Sequence, residues 1–209
     1  MKLYSYWRST TSYRVRIALH LKGLAFKTVP VDLAAGLQRK ADYLAVNPAA
    51  GVPALVLDDG TVLTQSMAII EWLETAHPTP ALIPTDPIAA AKVRAAALVI
   101  ATDIHPVNNL KVVQKLKAMG HDQDDAASWM ADWMVRGLEA YQALIPHDHD
   151  FSFGDEPTLA DVCLVAQLYN AHRGGLDLTP FKRLTKIEAC CLALPAFVAA
   201  RPENQPDAG

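Results

Sequence analysis

A run of four hydroxyl side chains near the beginning of the chain could do chemistry. The run consists of Ser9, Thr10, Thr11 and Ser12 and follows Arg8. One hydroxyl is enough to cap a helix, so four leave others for a second task. A helix N-terminus carries partial positive charge, and a hydroxyl directed at a thiolate stabilises the thiolate and lowers the pKa of the thiol. Because no cysteine lies here, that thiol would have to come from a ligand, and simple capping is the alternative.

These side chains sit at a strand-to-helix junction within the first eighty residues. Apolar spacing and turn residues predict the order strand, helix, strand, helix, strand, strand, helix. The expected strands are residues 2–7, 26–31, 54–57 and 61–63, and the expected helices are residues 11–21, about 38–44, and 66 to about 77. This order is the plan of a thioredoxin-like α/β domain with a mixed sheet.

Two further junctions of this domain could bind an extended or anionic ligand. In a thioredoxin-like domain the proline before the third strand is usually cis and leaves the backbone of the preceding residue free to pair with a peptide, which predicts a cis bond at Val52-Pro53. Ser66, after Gln65, begins the last helix. It either caps that helix or joins the helix N–H groups in binding a carboxylate.

The remainder of the chain predicts a second, helical domain. Four prolines within ten residues indicate a stiff linker, and helical patterns then cover residues 88–119, 124–144, 158–173 and 181–192. We therefore expect domains at 1–80 and 88–209 joined by a linker at 81–87, the second an all-helical bundle. Thr158 and Asp161 predict a capping box at one helix start. The last nine residues, RPENQPDAG, read as a terminal tail.

Composition excludes several classes of protein. The formal net charge is −3 and no Lys/Arg run is present, so nucleic acid is not expected as a partner. No apolar stretch approaches the roughly 20 residues that span a bilayer, and the first residues do not resemble a leader, which predicts a cytoplasmic protein without a membrane partner. The three cysteines have no C-x-x-C spacing and suit a reducing compartment. We expect no metal.

Several motifs together resemble one family over essentially the whole chain. They are RSTTSYRVRIALHLKG, NPAAGVPAL, LTQSMAIIEWLE, DIHPVNNLKV, FGDEPTLADVCL and RGGLDLTPF. In this order they resemble the zeta class of glutathione transferases, which includes the bacterial maleylacetoacetate and maleylpyruvate isomerases. The resemblance implies glutathione as cofactor, a thioredoxin-like domain followed by a helical one, and a homodimer. More apolar surface in the helical domain than one small sheet can cover also favours a dimer.

The resemblance also implies roles for particular residues. The family's Ser-Ser-Cys-Ser-Trp-Arg motif reads Ser-Thr-Thr-Ser-Tyr-Arg here, so the catalytic serine falls on Ser9 and the family's cysteine on Thr11. Either hydroxyl could be the main donor to the glutathione sulfur. The positions implied to contact glutathione are Ser9, Thr10, Thr11, Gln38, Val52, Pro53, Gln65, Ser66, His105, Asn108 and Asn109.

The substrate implied by the family is a dicarboxylate-like dienol or diketo acid. Arg8 and Arg173 are the expected clamps for its carboxylates, because a guanidinium is always charged and binds a carboxylate through two hydrogen bonds. The implied reaction is a glutathione-dependent cis–trans isomerisation, with Ser9, Thr11, Arg8 and Arg173 as catalytic residues. Maleylacetoacetate and maleylpyruvate both fit as substrates.

Two alternatives remain at this point. A general glutathione-conjugating detoxification enzyme would share the fold and the thiol site but take apolar electrophiles, which the two arginines argue against. A non-catalytic binding or stress-response protein would keep the fold and lose the hydroxyls, whereas Ser9 and Thr11 are present.

Overall fold

The computed structural model describes residues 1–147 and 149–208. Contacts divide the chain into two compact units, the first formed by Met1–Ala81 with the residues from Leu192 onward and the second by Leu82–Cys191. No helix in the described ranges is long and apolar enough to cross a membrane. The elements are β1 (Lys2–Ser5), α1 (Thr10–Leu21), β2 (Lys27–Pro30), α2 (Ala41–Leu44), β3 (Ala54–Val56), β4 (Val62–Thr64), α3 (Ser66–Ala76), α4 (Pro87–Leu98), α5 (Leu110–Ala118), α6 (Gln123–Leu144), α7 (Leu159–Arg173), α8 (Lys182–Leu192) and α9 (Pro195–Ala200).

The first unit contains a four-stranded mixed sheet. The strand order is β2-β1-β3-β4, with β1 parallel to β2 and β3 antiparallel to both β1 and β4. Leu3 lies opposite Thr28 on one side and Leu55 on the other, and both leucines are fully buried. The predicted thioredoxin-like order of elements is confirmed, with boundaries that differ by one to three residues.

Helix α1 is buried along most of its length although it carries two arginines. The guanidinium of Arg16 is fully buried and donates from Nε to the Ala200 carbonyl at 3.0 Å, from Nη1 to Ser5 Oγ at 3.0 Å, and from Nη2 to the Trp7 carbonyl at 2.9 Å. A buried charge without such acceptors would be strongly destabilising. Arg16 therefore fixes the β1–α1 loop and the end of α9 together with α1.

Residues 201–208 are held by hydrogen bonds, so the expectation of a terminal tail is wrong for them, and Gly209 lies outside the described residues. After α9 a short 3-10 turn covers Pro202–Asn204. The Gln205 amide donates to the carbonyls of Ala199 at 3.0 Å and Arg201 at 2.8 Å, and the segment belongs to the first unit. The polar, proline-containing sequence is typical of a tail. The side-chain hydrogen bonds that hold it in place cannot be recognised from composition. The predicted domain limits, 1–80, 81–87 and 88–209, stay a prediction.

The second unit is helical, as predicted, but residues 88–119 do not form one helix. Helix α4 ends at Leu98, a π-helical segment follows at Val99–Ile104, and α5 begins only at Leu110. Pro106 lies in the turn between them and has no N–H for a helical hydrogen bond. A Cβ atom at Gly137 of α6 would overlap the Ile104 side chain, so glycine allows α6 to approach the π-helical segment closely.

The capping box at the start of α7 is confirmed. Asp161 is fully buried and accepts from the backbone N–H groups of Ser152 and Thr158, both at 2.7 Å. Burial raises the pKa of Asp161, and these hydrogen bonds oppose that rise. The carboxylate therefore ties the preceding loop to the first turn of the most buried helix of this unit.

Candidate functional site

Ser9 occupies the N-cap of α1, so the capping interpretation of the hydroxyl run is correct for this residue. Its backbone is extended and its Oγ accepts a hydrogen bond from the Ser12 N–H at 3.2 Å. The Ser9 N–H donates to the Tyr6 carbonyl at 3.0 Å. Ser9 itself stays half-buried. Its oxygen is therefore held in place by the helix, while its proton is still available to another acceptor.

The hydroxyls of Ser9 and Thr11 form a chain with a defined direction. Thr11 Oγ1 lies 2.8 Å from the Val52 carbonyl and 2.9 Å from Ser9 Oγ. A carbonyl oxygen only accepts, so the single proton of Thr11 is directed at Val52. It follows that Ser9 donates to Thr11. Of the two hydroxyls, Ser9 is the one whose proton can turn to a ligand without breaking a hydrogen bond to the backbone.

The loop that carries Val52 is fixed by side chains that the sequence did not single out. Both Tyr43 Oη and Asn47 Nδ2 donate to the Gly51 carbonyl, at 2.6 and 2.7 Å. Burial raises the pKa of Tyr43 to about 12, so this phenol remains a donor at neutral pH. Ala50 has φ 52°, a value uncommon for a residue with a side chain. The motif NPAAGVPAL indicated this loop in the sequence, but it did not indicate how Tyr43 and Asn47 hold it.

The bond between Val52 and Pro53 is cis, as predicted. Pro53 is buried immediately before β3, and Val52 is half-buried. The Val52 carbonyl already accepts from Thr11, but a carbonyl oxygen has two lone pairs. A second acceptor position therefore remains at the Val52 carbonyl oxygen.

At the start of α3, Gln65 rather than Ser66 takes the N-cap position. Gln65 has φ 68° and its side chain makes no capping hydrogen bond, while Ser66 is buried as the first helical residue. The expectation that Ser66 might simply cap the helix is therefore wrong. Backbone strain of this kind, about 1–3 kcal/mol, persists only where the surroundings or a function require it. The exposed Gln65 side chain is free to contact a ligand at the positive end of the helix.

Gln38 is nearly buried in the 3-10 turn Leu37–Arg39 and is only 7% exposed. Its Oε1 is buried and has no hydrogen-bond partner among the described residues. An unpaired buried amide oxygen costs free energy unless a ligand or water supplies a donor. Gln38 is thus suited to a ligand that carries an N–H group.

Arg8 lies exposed at the beginning of the hydroxyl run. Its guanidinium is 5.3 Å from the centre of the Trp7 ring and 6.0 Å from that of Tyr6, and Nη2 lies 3.5 Å from Tyr6 Oη. Stacking on aromatic rings limits the orientations of the guanidinium while leaving its edge accessible. Arg8 can therefore present a fixed cation to an anionic ligand.

The remaining candidates belong to the second unit. His105 ends the π-helical segment, and Asn109 caps α5 by accepting from the Lys111 N–H at 3.2 Å. Asn108 is buried and donates to the Met130 carbonyl at 3.1 Å, while its Oδ1 has no hydrogen-bond partner among the described residues. Like Gln38, Asn108 offers a buried acceptor to a donor from outside the chain.

Arg173 is exposed at the C-terminal end of α7. Its Nη2 donates to Asn170 Oδ1 at 2.5 Å, one helical turn earlier. This hydrogen bond restricts the orientation of the guanidinium. Within the first unit the structure thus brings together Ser9, Thr11 and Val52, and it places Arg8 in the adjoining loop.

Known proteins resemble this chain both in its first unit and over its whole length. Residues 8–76 match the glutathione S-transferase, N-terminal domain family. A maleylacetoacetate isomerase of Pseudomonas aeruginosa is 48% identical over 209 residues, which cover 99% of this chain and 98% of that protein.

Two solved structures have the same fold. One, described as a holo structure of a maleylpyruvate isomerase and a bacterial zeta-class glutathione S-transferase, has a TM-score of 0.97 and 45% identity over the full length of both chains. A maleylacetoacetate isomerase of Methylobacterium extorquens, with bound malonate and glutathione, has a TM-score of 0.95 and 36% identity, again over both full chains. The chain belongs to the glutathione S-transferase family, in its zeta class.

Proposed function

We propose that this protein is a glutathione-dependent cis–trans isomerase of maleylacetoacetate or maleylpyruvate, and that Ser9 is the principal donor to the glutathione thiolate. The observation that carries the proposal is the direction of the hydroxyl chain, in which Thr11 donates to the Val52 carbonyl and Ser9 keeps a proton that can turn to a ligand. Relatives that match almost the whole chain are isomerases of these two substrates.

Glutathione fits the polar groups that the chain leaves available. The tripeptide has N–H donors for the Val52 carbonyl and for the buried oxygen of Gln38. Its carboxylates suit the N-terminus of α3, where Gln65 and Ser66 lie. On the resemblance alone, we also propose that glutathione contacts Thr10 and Pro53 of the first unit and His105, Asn108 and Asn109 of the second.

The chemistry that glutathione supplies is a thiolate that adds reversibly to the cis double bond of the substrate, so that the bond can rotate before the sulfur leaves. The chain's task is to keep the thiol ionised. Ser9 donates to the sulfur, and the N-terminus of α1 adds partial positive charge. Both favour the thiolate over the thiol and thereby lower the pKa of the bound thiol. Thr11 is hydrogen-bonded to both the Ser9 hydroxyl and the Val52 carbonyl and so fixes their relative positions.

Arg8 and Arg173 are proposed to bind the substrate carboxylates. Each presents an oriented guanidinium, Arg8 through its aromatic neighbours and Arg173 through Asn170. The substrate carbonyl conjugated to the reacting double bond gains negative charge as the thiolate adds, so a cation close to that oxygen also stabilises the transition state. A general conjugating enzyme for apolar electrophiles would have no use for two such cations, and we place that activity second.

A cytoplasmic location is part of the proposal. Cys163, Cys190 and Cys191 form no disulfide, which agrees with a reducing compartment. Glutathione in its thiol form also requires such a compartment.

We expect the purified protein to isomerise both maleylacetoacetate and maleylpyruvate only when glutathione is present, without consuming it. The measurement is the loss of substrate absorbance with and without glutathione, followed by quantitation of the free thiol at the end. Stoichiometric loss of thiol, with a conjugate as the product, would instead identify a conjugating transferase.

Replacing Ser9 by Ala should raise the pKa of enzyme-bound glutathione and lower turnover. A lost charge-assisted hydrogen bond costs roughly 1.5–3 kcal/mol, which corresponds to a rate loss of about ten- to more than a hundredfold. Thr11→Val is the matched control, because it removes the hydroxyl that points to Val52 and leaves the Ser9 proton in place. Titration of the thiolate absorbance measures the pKa of bound glutathione in each variant. A larger rise in Thr11→Val than in Ser9→Ala would make Thr11 the principal donor.

Replacing Arg173 by Ala should raise KM for a dicarboxylate substrate about tenfold or more and leave the pKa of bound glutathione close to that of the parent. Conjugation of an uncharged aryl halide should be unaffected. Arg136→Ala, which removes an exposed arginine paired with Asp132 in the same unit, provides the control. Equal effects of the two substitutions, or an equal loss with the uncharged electrophile, would remove Arg173 from the substrate site.

We expect a homodimer that uses the exposed face of α4. Ile88, Ala91, Ala95 and Leu98 recur there at helical spacing, and Ile88 is 69% exposed and Leu98 42% exposed. Sedimentation should give a dimer at micromolar concentration for the parent and a monomer for Ile88→Glu. Met119→Glu changes an equally exposed apolar side chain next to α5 and should remain dimeric. A monomeric parent would exclude the dimer, and a dimeric Ile88→Glu would exclude this face.

A further inference from the structure

We propose that Asp207, in the C-terminal segment, is a positioning residue for the hydroxyl chain at the start of α1. Its Oδ2 accepts a hydrogen bond from the Trp7 N–H at 3.0 Å, across two hundred residues of sequence. Trp7 lies two residues before Ser9, in the loop that leads into α1. The inference rests on the proposed role of Ser9 as thiolate donor.

The peptide groups on both sides of Trp7 are held by opposite charges. Asp207 accepts from its N–H, and the buried Arg16 donates to its carbonyl from Nη2 at 2.9 Å. Arg16 Nη1 also lies 3.4 Å from the Tyr6 carbonyl, which in turn accepts from the Ser9 N–H at 3.0 Å. The backbone that sets the position of Ser9 is therefore fixed by one cation from α1 and one anion from the chain end.

The segment that carries Asp207 is rigid enough to serve as an anchor. The Gln205 amide donates to two carbonyls of the preceding turn, and Asn204 Nδ2 donates to the Val198 carbonyl at 2.7 Å. Helix α9, just before it, packs on α1. Asp207 is half-buried, and its second oxygen, Oδ1, has no hydrogen-bond partner among the described residues. The Trp7 N–H is thus the contact that the carboxylate makes in the described part of the chain.

The charge of Asp207 and its proposed positioning role predict opposite changes in the pKa of bound glutathione when Asp207 is removed. A carboxylate in the same unit repels a thiolate, so its removal by itself would lower the pKa of bound glutathione. Positioning predicts a rise instead, because a loosened loop lets Ser9 leave the geometry that its hydrogen bond to the sulfur requires. The sign of the change in pKa therefore separates the two roles.

The experiment compares Asp207→Ala and Asp207→Asn with Glu203→Ala. The asparagine variant keeps an acceptor for the Trp7 N–H without the charge. Glu203→Ala removes the same charge from the same segment at an exposed position, where Glu203 lies 3.5 Å from Arg201 Nε. The readouts are amide hydrogen exchange at residues 7–9 and the pKa of the bound thiol from thiolate absorbance, on the full-length protein with glutathione.

We expect Asp207→Ala to speed exchange at residues 7–9, to raise the thiol pKa by about one unit and to lower kcat about tenfold. Asp207→Asn should restore most of the exchange protection and of the low pKa, and Glu203→Ala should match the parent. A lowered thiol pKa in Asp207→Ala would overturn the inference in favour of a charge effect. Unchanged hydrogen exchange at residues 7–9 would show that the hydrogen bond from Trp7 to Asp207 does not hold the loop.

Ser9→Ala, measured in parallel, separates failure of this inference from failure of the proposed site. If Ser9→Ala raises the thiol pKa while Asp207→Ala leaves it unchanged, the positioning role is overturned and the Ser9 assignment stands. If neither variant changes the thiol pKa, the assignment of Ser9 is overturned, and with it any effect of the Asp207–Trp7 hydrogen bond on the thiol.

Discussion

The need to satisfy one buried guanidinium determines the form of the candidate site. Arg16 lies inside the first unit, and its acceptors are Ser5 Oγ and the carbonyls of Tyr6, Trp7 and Ala200. An arginine in this position cannot lose its proton to avoid the cost of burial, so its neighbours must supply acceptors. Those acceptors come from the end of β1, from the loop before Ser9 and from the end of α9. The buried charge of Arg16 thus fixes the backbone of the loop that leads to Ser9.

A fixed loop matters because the role that we propose for the hydroxyls depends on the direction of their hydrogen bonds as well as on distance. Ser9 Oγ accepts from the helix, and its proton points to Thr11, whose own proton points to Val52. A ligand thiolate needs only to attract the Ser9 proton, since the oxygen already sits at the N-cap. Little reorganisation is then required when the thiolate forms, which is the condition under which preorganised donors stabilise charge effectively.

The parts of this structure that follow from local sequence pattern were predictable. Alternation and turns predicted the four strands, and the spacing of Thr158 and Asp161 predicted the capping box. The cis bond at Val52-Pro53 was predicted from the thioredoxin-like plan, since local sequence alone favours a trans bond. The parts that depend on contacts distant in sequence were not. Asp207 and Trp7 are two hundred residues apart, and the clamp on Gly51 by Tyr43 and Asn47 has no periodic signature.

Two local predictions failed for reasons of backbone geometry. The alanine-rich pattern of residues 88–119 is helical on any propensity scale, yet Pro106 removes a donor and the π-helical segment already departs from regular spacing. At α3, a serine at a helix start normally reads as a cap, but the chain places Gln65 there with φ 68°. Side-chain preference identified the junction at α3 but not the break after Leu98, and backbone geometry decides the details of both.

The replacement of the family's cysteine by Thr11 is consistent with the reaction that we propose. A thiol at this position would be a weaker donor to the Val52 carbonyl than the hydroxyl at 2.8 Å. It would also lie near the positive end of α1, where its pKa would fall and its nucleophilicity would rise. A substrate that accepts thiolates at a double bond could then react with the protein itself. Threonine retains the hydrogen bond that orients Ser9 and Val52, and its hydroxyl does not ionise at neutral pH, so the sulfur of glutathione remains the nucleophile at this site.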